Sequence, residues 1–183
     1  SPEFVAADLL SQAEHDPDAR AILITPSATL IQKVKVELRQ QLATLSRKEI
    51  AGRSLQKNGK FILVKNLVAA CERSNQISPE HLELMVEKPR ALLKNIRNAG
   101  AIFLGPYSPV ALGDYLAGPN HVLPTAGTAR FSSPLSVNDF LKISSLIEAS
   151  AKGLTTLASS IEDLATLEGL TAHAKSVTVR ASK

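Results

Sequence analysis

Apolar positions along this chain follow two rhythms. In residues 27–45, Leu30, Ile31, Val34, Leu38, Leu42 and Leu45 recur at helical spacing, and Lys33, Lys35, Arg39 and Arg47 fall largely off that stripe as a solvated face. Pro26-Ser27 precedes the stripe, which makes Ser27 the expected N-cap. Short apolar runs at residues 21–24, 61–64, 82–86 and 101–104 read instead as strands. Residues 5–14, 67–74 and 89–98 have helical composition, and Cys71 in the second of these reads as a packed core thiol. Residues 52–60 read as a polar linker, with Asn58-Gly59 as turn chemistry. Strands alternating with helices imply βαβ units and a mostly parallel α/β sheet. The units are too few for a complete doubly wound domain, so the expected fold is a partial, incomplete Rossmann-like one.

Beyond Pro134 the pattern turns helical. Residues 136–141 read as a short helix and residues 142–147 fit strand or helix. Residues 149–167 carry the stripe Leu154, Leu157, Ile161 and Leu164. Gly153 within this helix costs about 1 kcal/mol relative to alanine. Gly169 is placed to cap it, and residues 170–180 follow as a helical or extended arm. The organisation expected is an α/β domain over residues 5–135 and a helical extension and dimerisation arm over residues 136–183. Ser1-Pro2-Glu3-Phe4 reads as a vector-derived remnant, which puts the native start inside a helix and points to a fragment of a longer protein.

Composition narrows the class. Of 183 residues, 44% are hydrophobic but only 4% aromatic, with no tryptophan, so the core must be aliphatic. A net charge of +4 spread along the chain, with no basic run interleaved with aromatics, argues against a nucleic-acid partner. A single cysteine excludes an internal disulfide framework and favours a reducing compartment, the cytoplasm or, in a plant, the plastid. No apolar run approaches the roughly 20 residues a membrane span needs. No G-x-G-x-x-G follows any of the expected strands, so a dinucleotide site is not claimed from these residues.

Residues 100–134 stand apart. They open as a strand and then run through Gly105, Gly113, Gly118 and Gly127 and the prolines 106, 109, 119, 124 and 134. Loops this long are functional or disordered. Phe103, Tyr107, Tyr115, Leu116, Leu123 and Phe131 supply apolar anchors that a solvated linker lacks. Asp114 and His121 lie inside, flanked by small residues that let backbone approach a ligand. Each of the four histidines has a polar companion nearby: Gln12 with His15, Glu80 with His81, Asp114 with His121, and Glu168 with His173. Such N and O donors suit a mixed zinc site. No spacing matches a zinc finger or H-E-x-x-H, so satisfied or surface histidines remain the alternative. Ile77-Ser78-Pro79 blocks a continuing helix and puts Glu80-His81 on a loop entering the strand that follows. A carboxylate and an imidazole there can run base and acid steps near neutral pH, unless they are a solvent-facing pair.

Four blocks, AADLLSQAEHD, NQISPEHLEL, GPYSPVALGDYLAGPNHVLPTAGTARFSSPLSVNDFLK and LEGLTAHAKSV, together resemble the C-terminal part of histidinol dehydrogenases. The resemblance implies a zinc-dependent enzyme that oxidises L-histidinol to L-histidine with NAD in two steps, through the aldehyde, as the last step of histidine biosynthesis. It implies Gln12, His15, Asp114 and His173 as ligands of one zinc per subunit. It implies Glu80 and His81 as the catalytic pair. It adds His121 and Glu168 to Gln12, His15, His81, Asp114 and His173 as substrate contacts. An intertwined homodimer is implied, with Glu168 and His173 reaching across the interface. Most NAD contacts would lie in a missing N-terminal half, with none in this fragment, so the fragment is expected to be inactive alone. One local departure is Pro124-Thr125-Ala126-Gly127, where the family usually reads PTGG; a positive φ at Ala126 would strain an alanine. The competing function is a truncated, non-enzymatic dimerisation or interaction module.

Overall fold

The computed structural model describes residues 1–182. Two compact units divide the chain, Ser1–Phe140 and Leu141–Lys183.

In the first unit, α1 (Pro2–Ala13) begins earlier than its apolar pattern does, because Ser1 caps it and Pro2 sits at a helix start, where a missing N–H costs nothing. Pro2, Glu3 and Phe4 are therefore part of a folded element. The first strand, β1 (Ile22–Thr25), pairs in parallel with β2 (Lys60–Leu63), in the register Ile22 to Lys60 through Thr25 to Leu63. The crossover between them is α2 (Ala28–Thr44), capped by the Ser27 hydroxyl as expected, and α3 (Lys48–Asn58). The polar linker expected at residues 52–60 is thus corrected to a helix. Its buried face is made of small residues: Ala51 and Ser54 are fully buried, and the Ser54 hydroxyl donates to the Ala19 carbonyl at 3.0 Å. Small side chains carry little hydropathy signal, yet they let α3 sit close to its neighbours. The core joins Ala6, Leu10 and Ala13 of α1 to Val34 and Leu38 of α2, Ala51 of α3 and Ala21.

The second pair is β3 (His81–Leu84) with β4 (Ala101–Leu104), again parallel. Between β2 and β3 runs α4 (Leu67–Ile77), capped by Asn66 and burying Cys71. The helix expected over residues 89–98 shrinks to α5 (Pro89–Leu92) and a 3₁₀ turn, Leu93–Asn95. Asn75, buried near the end of α4, explains the stop. Its side-chain amide donates to the Asn95 carbonyl at 2.8 Å, and its oxygen accepts from the Arg97 and Asn98 backbone N–H groups at 2.7 and 3.2 Å. Those backbone groups are turned toward Asn75 and not into a helix. A single sheet is also corrected: the strands form two separate two-stranded parallel sheets, β1–β2 and β3–β4. The central stretch contains α6 (Val110–Tyr115) and a 3₁₀ turn at Thr128–Arg130.

The helix expected over residues 136–141 is a 3₁₀ turn, Val137–Phe140, and residues 142–147 have no regular structure. In the second unit α7 (Ala151–Leu167) and α8 (Thr171–Ala181) form a helical hairpin. Gly169, at φ +74°, ends α7 as expected. Its N–H donates to Thr166 and that of Leu170 to Ala165, at 2.9 and 2.7 Å, the paired bonds of a Schellman motif. The expected stripe is split. Ala158 and Ala165 are buried, whereas Leu157 and Leu164 are 57% and 64% exposed. One partner helix covers one face only, and the small residues mark that face. Among the described residues no helix is long and apolar enough to cross a membrane.

Candidate active site

The site is built from the ends of α1, β3 and α6. His81 is the first residue of β3, not part of a loop before it; Glu80 is the residue that precedes the strand. The Ala101 N–H donates to the Glu80 carbonyl at 2.8 Å and the Gly100 N–H to Pro79 at 3.0 Å, so the sheet pairing runs past the strand end and takes in the pair. Gly100 is required for this. A Cβ there would stand 2.6 Å from the Glu80 carbonyl oxygen.

Gly113 does the same for α6. A Cβ at Gly113 would lie 2.6 Å from the Phe103 ring, so only glycine lets α6 sit directly on β4. That seating brings Asp114 to His81, with Oδ1 and Nε2 3.9 Å apart. Phe103 flanks the imidazole, ring centroids 6.0 Å apart. The His81 side chain is 15% exposed and that of Asp114 25%. Burial holds the His81 pKa below its ordinary value; the charges of Glu80 and Asp114 oppose this, and that of His15 lowers it further. His81 is accordingly a neutral imidazole at pH 7, able to accept a proton. His15, whose charge acts on His81, lies in the turn after α1. Gln12 lies three residues earlier, and its carbonyl accepts from the His15 N–H at 3.4 Å.

The donor chemistry suits a divalent cation. Asp114 is partly buried, and its carboxylate makes no hydrogen bond among the described residues beyond its approach to His81. Zinc takes imidazole nitrogen and carboxylate or amide oxygen. Among the described residues no group of three His, Cys, Asp or Glu could hold a metal. The set expected from the resemblance has His15 and Asp114 as its only members of those types in the first unit. Gln12 is an amide, and His173, like Glu168, belongs to the second unit. The turn after β4 is Gly105-Pro106-Tyr107-Ser108-Pro109, whose two prolines lack the N–H groups a pyrophosphate needs, and no glycine follows β1 or β2 directly.

Asp114 and His121 line one cleft of about 710 Å³ together with Phe103, Leu112, Asn120 and Leu123. Outside the cleft lining, Arg130 pins a turn by donating to the carbonyls of Gly127 and Gln76. Ala126 in that turn has φ +52° and Gly127 φ +84°, so the alanine occupies the left-handed conformation. One supporting residue, the buried Asn75, was not singled out from sequence.

The histidinol dehydrogenase family model matches residues 1–181. The chain is 56% identical over 180 residues to the histidinol dehydrogenase of Aquifex aeolicus (strain VF5), covering 98% of this chain and 42% of that protein. It is 54% identical over 180 residues to the enzyme of that name from Halalkalibacterium halodurans, with the same coverage. The crystal structure of histidinol dehydrogenase from Elizabethkingia anophelis superimposes with a TM-score of 0.93 at 39% identity, over 100% of this chain and 42% of that one. The chain thus spans less than half the length of the relatives it matches.

Proposed function

The chain belongs to the histidinol dehydrogenase family, and from that premise we propose that it carries the metal and acid–base half of an enzyme that oxidises L-histidinol to L-histidine. The single observation that supports this best is the convergence of His15, Glu80, His81 and Asp114 from three separate elements. A non-enzymatic dimerisation module has no physical need of that convergence.

Gln12, His15, Asp114 and His173 are the proposed zinc ligands, with His173 and the substrate-contacting Glu168 supplied across the two-fold axis of a homodimer. Zinc, when held by these residues, would fix the pose of the substrate's imidazole and amine. His81, kept neutral by burial, takes the hydroxyl proton in each oxidation step. Glu80 activates the water that adds at the aldehyde level. His121, on the cleft wall beside Asp114, contacts substrate. The apolar walls from Phe103 and Leu123 exclude water from the reacting carbon. NAD, the oxidant, is held by the part of the family's chain outside this segment. The proposed setting is the cytoplasm.

Histidinol-dependent NADH formation by the full-length enzyme tests the assignment. His81→Ala is expected to lower kcat by about 10²–10⁴-fold. Glu80→Gln is expected to slow oxidation of histidinal more than that of histidinol. Unchanged rates in His81→Ala overturn the assignment.

A further inference from the structure

The backbone of Glu80 is fixed from two directions, and both lead back to one buried residue. Asn75 is 4% exposed and Ser78 fully buried, so neither reaches substrate. Upstream of Glu80, α4 ends in the left-handed region at Ser78, φ +54°, a conformation uncommon for any residue but glycine. The Ser78 Oγ donates to the Asn75 carbonyl at 2.8 Å and the Ser78 N–H to the Ser74 carbonyl at 2.8 Å, and these bonds hold that turn. Pro79 and Glu80 follow it directly. On the other side, residues 96–99 have no regular structure of their own. Asn75 supplies their order: its amide bonds the Asn95 carbonyl and the Arg97 and Asn98 N–H groups, and its carbonyl accepts from Asn98 Nδ2 at 3.0 Å. Just beyond, the Gly100 and Ala101 N–H groups meet the Pro79 and Glu80 carbonyls. We propose that Asn75 is a positioning residue of this site, locking the lead-in of β4 onto the end of α4 and so fixing the backbone of Glu80.

An amide is the side chain this task needs. Asn75 donates to one backbone group and accepts from two others on a single segment, and a short side chain carrying both an N–H₂ and a carbonyl oxygen does both. A residue that only filled space at this depth would be apolar, since a buried amide is unfavourable unless bonded. The two members of the candidate catalytic pair depend on this lock unequally. Glu80 lies before β3, and its backbone is paired through the Ala101 N–H next to the lead-in. His81 lies inside β3, whose ladder is anchored independently at its far end by the Gly105 N–H donating to the Leu84 carbonyl at 3.1 Å. A loosened lead-in therefore displaces Glu80 before it displaces His81.

The inference rests on the role given to Glu80 above, activation of the water that adds at the aldehyde level. Its test is NADH formation by the full-length enzyme from histidinol and, separately, from histidinal, beside thermal melting. Asn75→Ala is expected to lower kcat for histidinal by about 10–100-fold, the scale of a reacting group misplaced by about 1 Å. Histidinol oxidation falls by less. Both KM values stay near those of the parent, because Gln12, His15 and Asp114 lie on other elements. Val34→Ala is the comparison: it truncates a fully buried residue of α2 and destabilises without touching either tie to Glu80. Asn75→Ala that slows the two steps in the same ratio as Val34→Ala overturns the proposal. Should Asn75→Ala not fold, Asn98→Ala removes the Nδ2 bond from the β4 side and carries the same expectation. Should Glu80→Gln slow the two steps equally, the role of Glu80 fails, and the proposal is then judged on amide exchange at Ala101. Faster exchange there in Asn75→Ala, with exchange across β1–β2 unchanged, sustains it; unchanged exchange at Ala101, or equal acceleration across β1–β2, ends it.

Discussion

Replacing Asn75 by alanine tests how the approach to β4 is held. The side chain is 4% exposed and makes three hydrogen bonds to backbone: one to the Asn95 carbonyl, and one each from the Arg97 and Asn98 N–H groups. Asn75→Ala leaves all three partners unpaired. A buried polar group left without its partner costs about 1–3 kcal/mol. Residues 95 and 98 are half-buried and Arg97 is exposed, so water relieves part of this and the low end applies to each. Three groups at about 1 kcal/mol give roughly 3 kcal/mol. With an m-value of about 2 kcal/mol/M, the urea midpoint falls by about 1.5 M. Asn75→Asp separates the terms. It keeps both acceptor bonds but sets a carboxylate oxygen 2.8 Å from the Asn95 carbonyl, in place of the amide donor. Its loss should shrink as pH falls and the acid becomes a donor. Equilibrium urea unfolding measures both variants, and hydrogen exchange at Arg97 and Asn98 localises the effect. A loss below about 1 kcal/mol in Asn75→Ala, with unchanged exchange, would refute the reasoning.

Ala126→Gly should stabilise the chain by about 0.5–1 kcal/mol, since an alanine at positive φ is strained and glycine is not; a fall in urea midpoint contradicts this. The pH dependence of stability follows from two shifted groups. Glu83 is raised on folding from 4.5 to about 8, so its contribution is full below pH 4.5 and lost as pH rises toward 8. Glu83→Gln should remove that decline, and parallel stability-versus-pH curves for the two proteins would contradict it. His81 is lowered on folding, so its contribution is present above pH 6.5 and lost as pH falls below it. The 183-residue chain alone should form no NADH from histidinol above a Glu80→Gln control, because the NAD contacts are expected in the part of the family's chain outside it. Deleting residues 169–183 should weaken dimerisation and zinc retention together, measured by light scattering and metal analysis. The exposed Leu146, Ile147, Leu157, Leu164 and Leu167 of the second unit are apolar surface that favours association.

Much of the local structure was legible in the sequence because its causes are local. Ser27 caps α2 with a side chain three residues from the N–H it satisfies. The limits of β4 follow from four apolar residues between Gly100 and Gly105, and the stop of α7 from a glycine that alone adopts the left-handed turn cheaply. The strain at Ala126 was readable for the same reason. The candidate site residues were visible as residues, through the four blocks shared with histidinol dehydrogenases, but not as a site. What the tertiary structure decided depends on partners distant in sequence. Helix α3 forms where the pattern reads as linker, because Ala51 and Ser54 find close neighbours that composition does not reveal. The strands divide into two sheets because hydrogen-bond pairing between strands is settled by packing, not by the apolar run within each. Asp114 meets His81 across 33 residues of chain only because Gly113 lets α6 rest on Phe103.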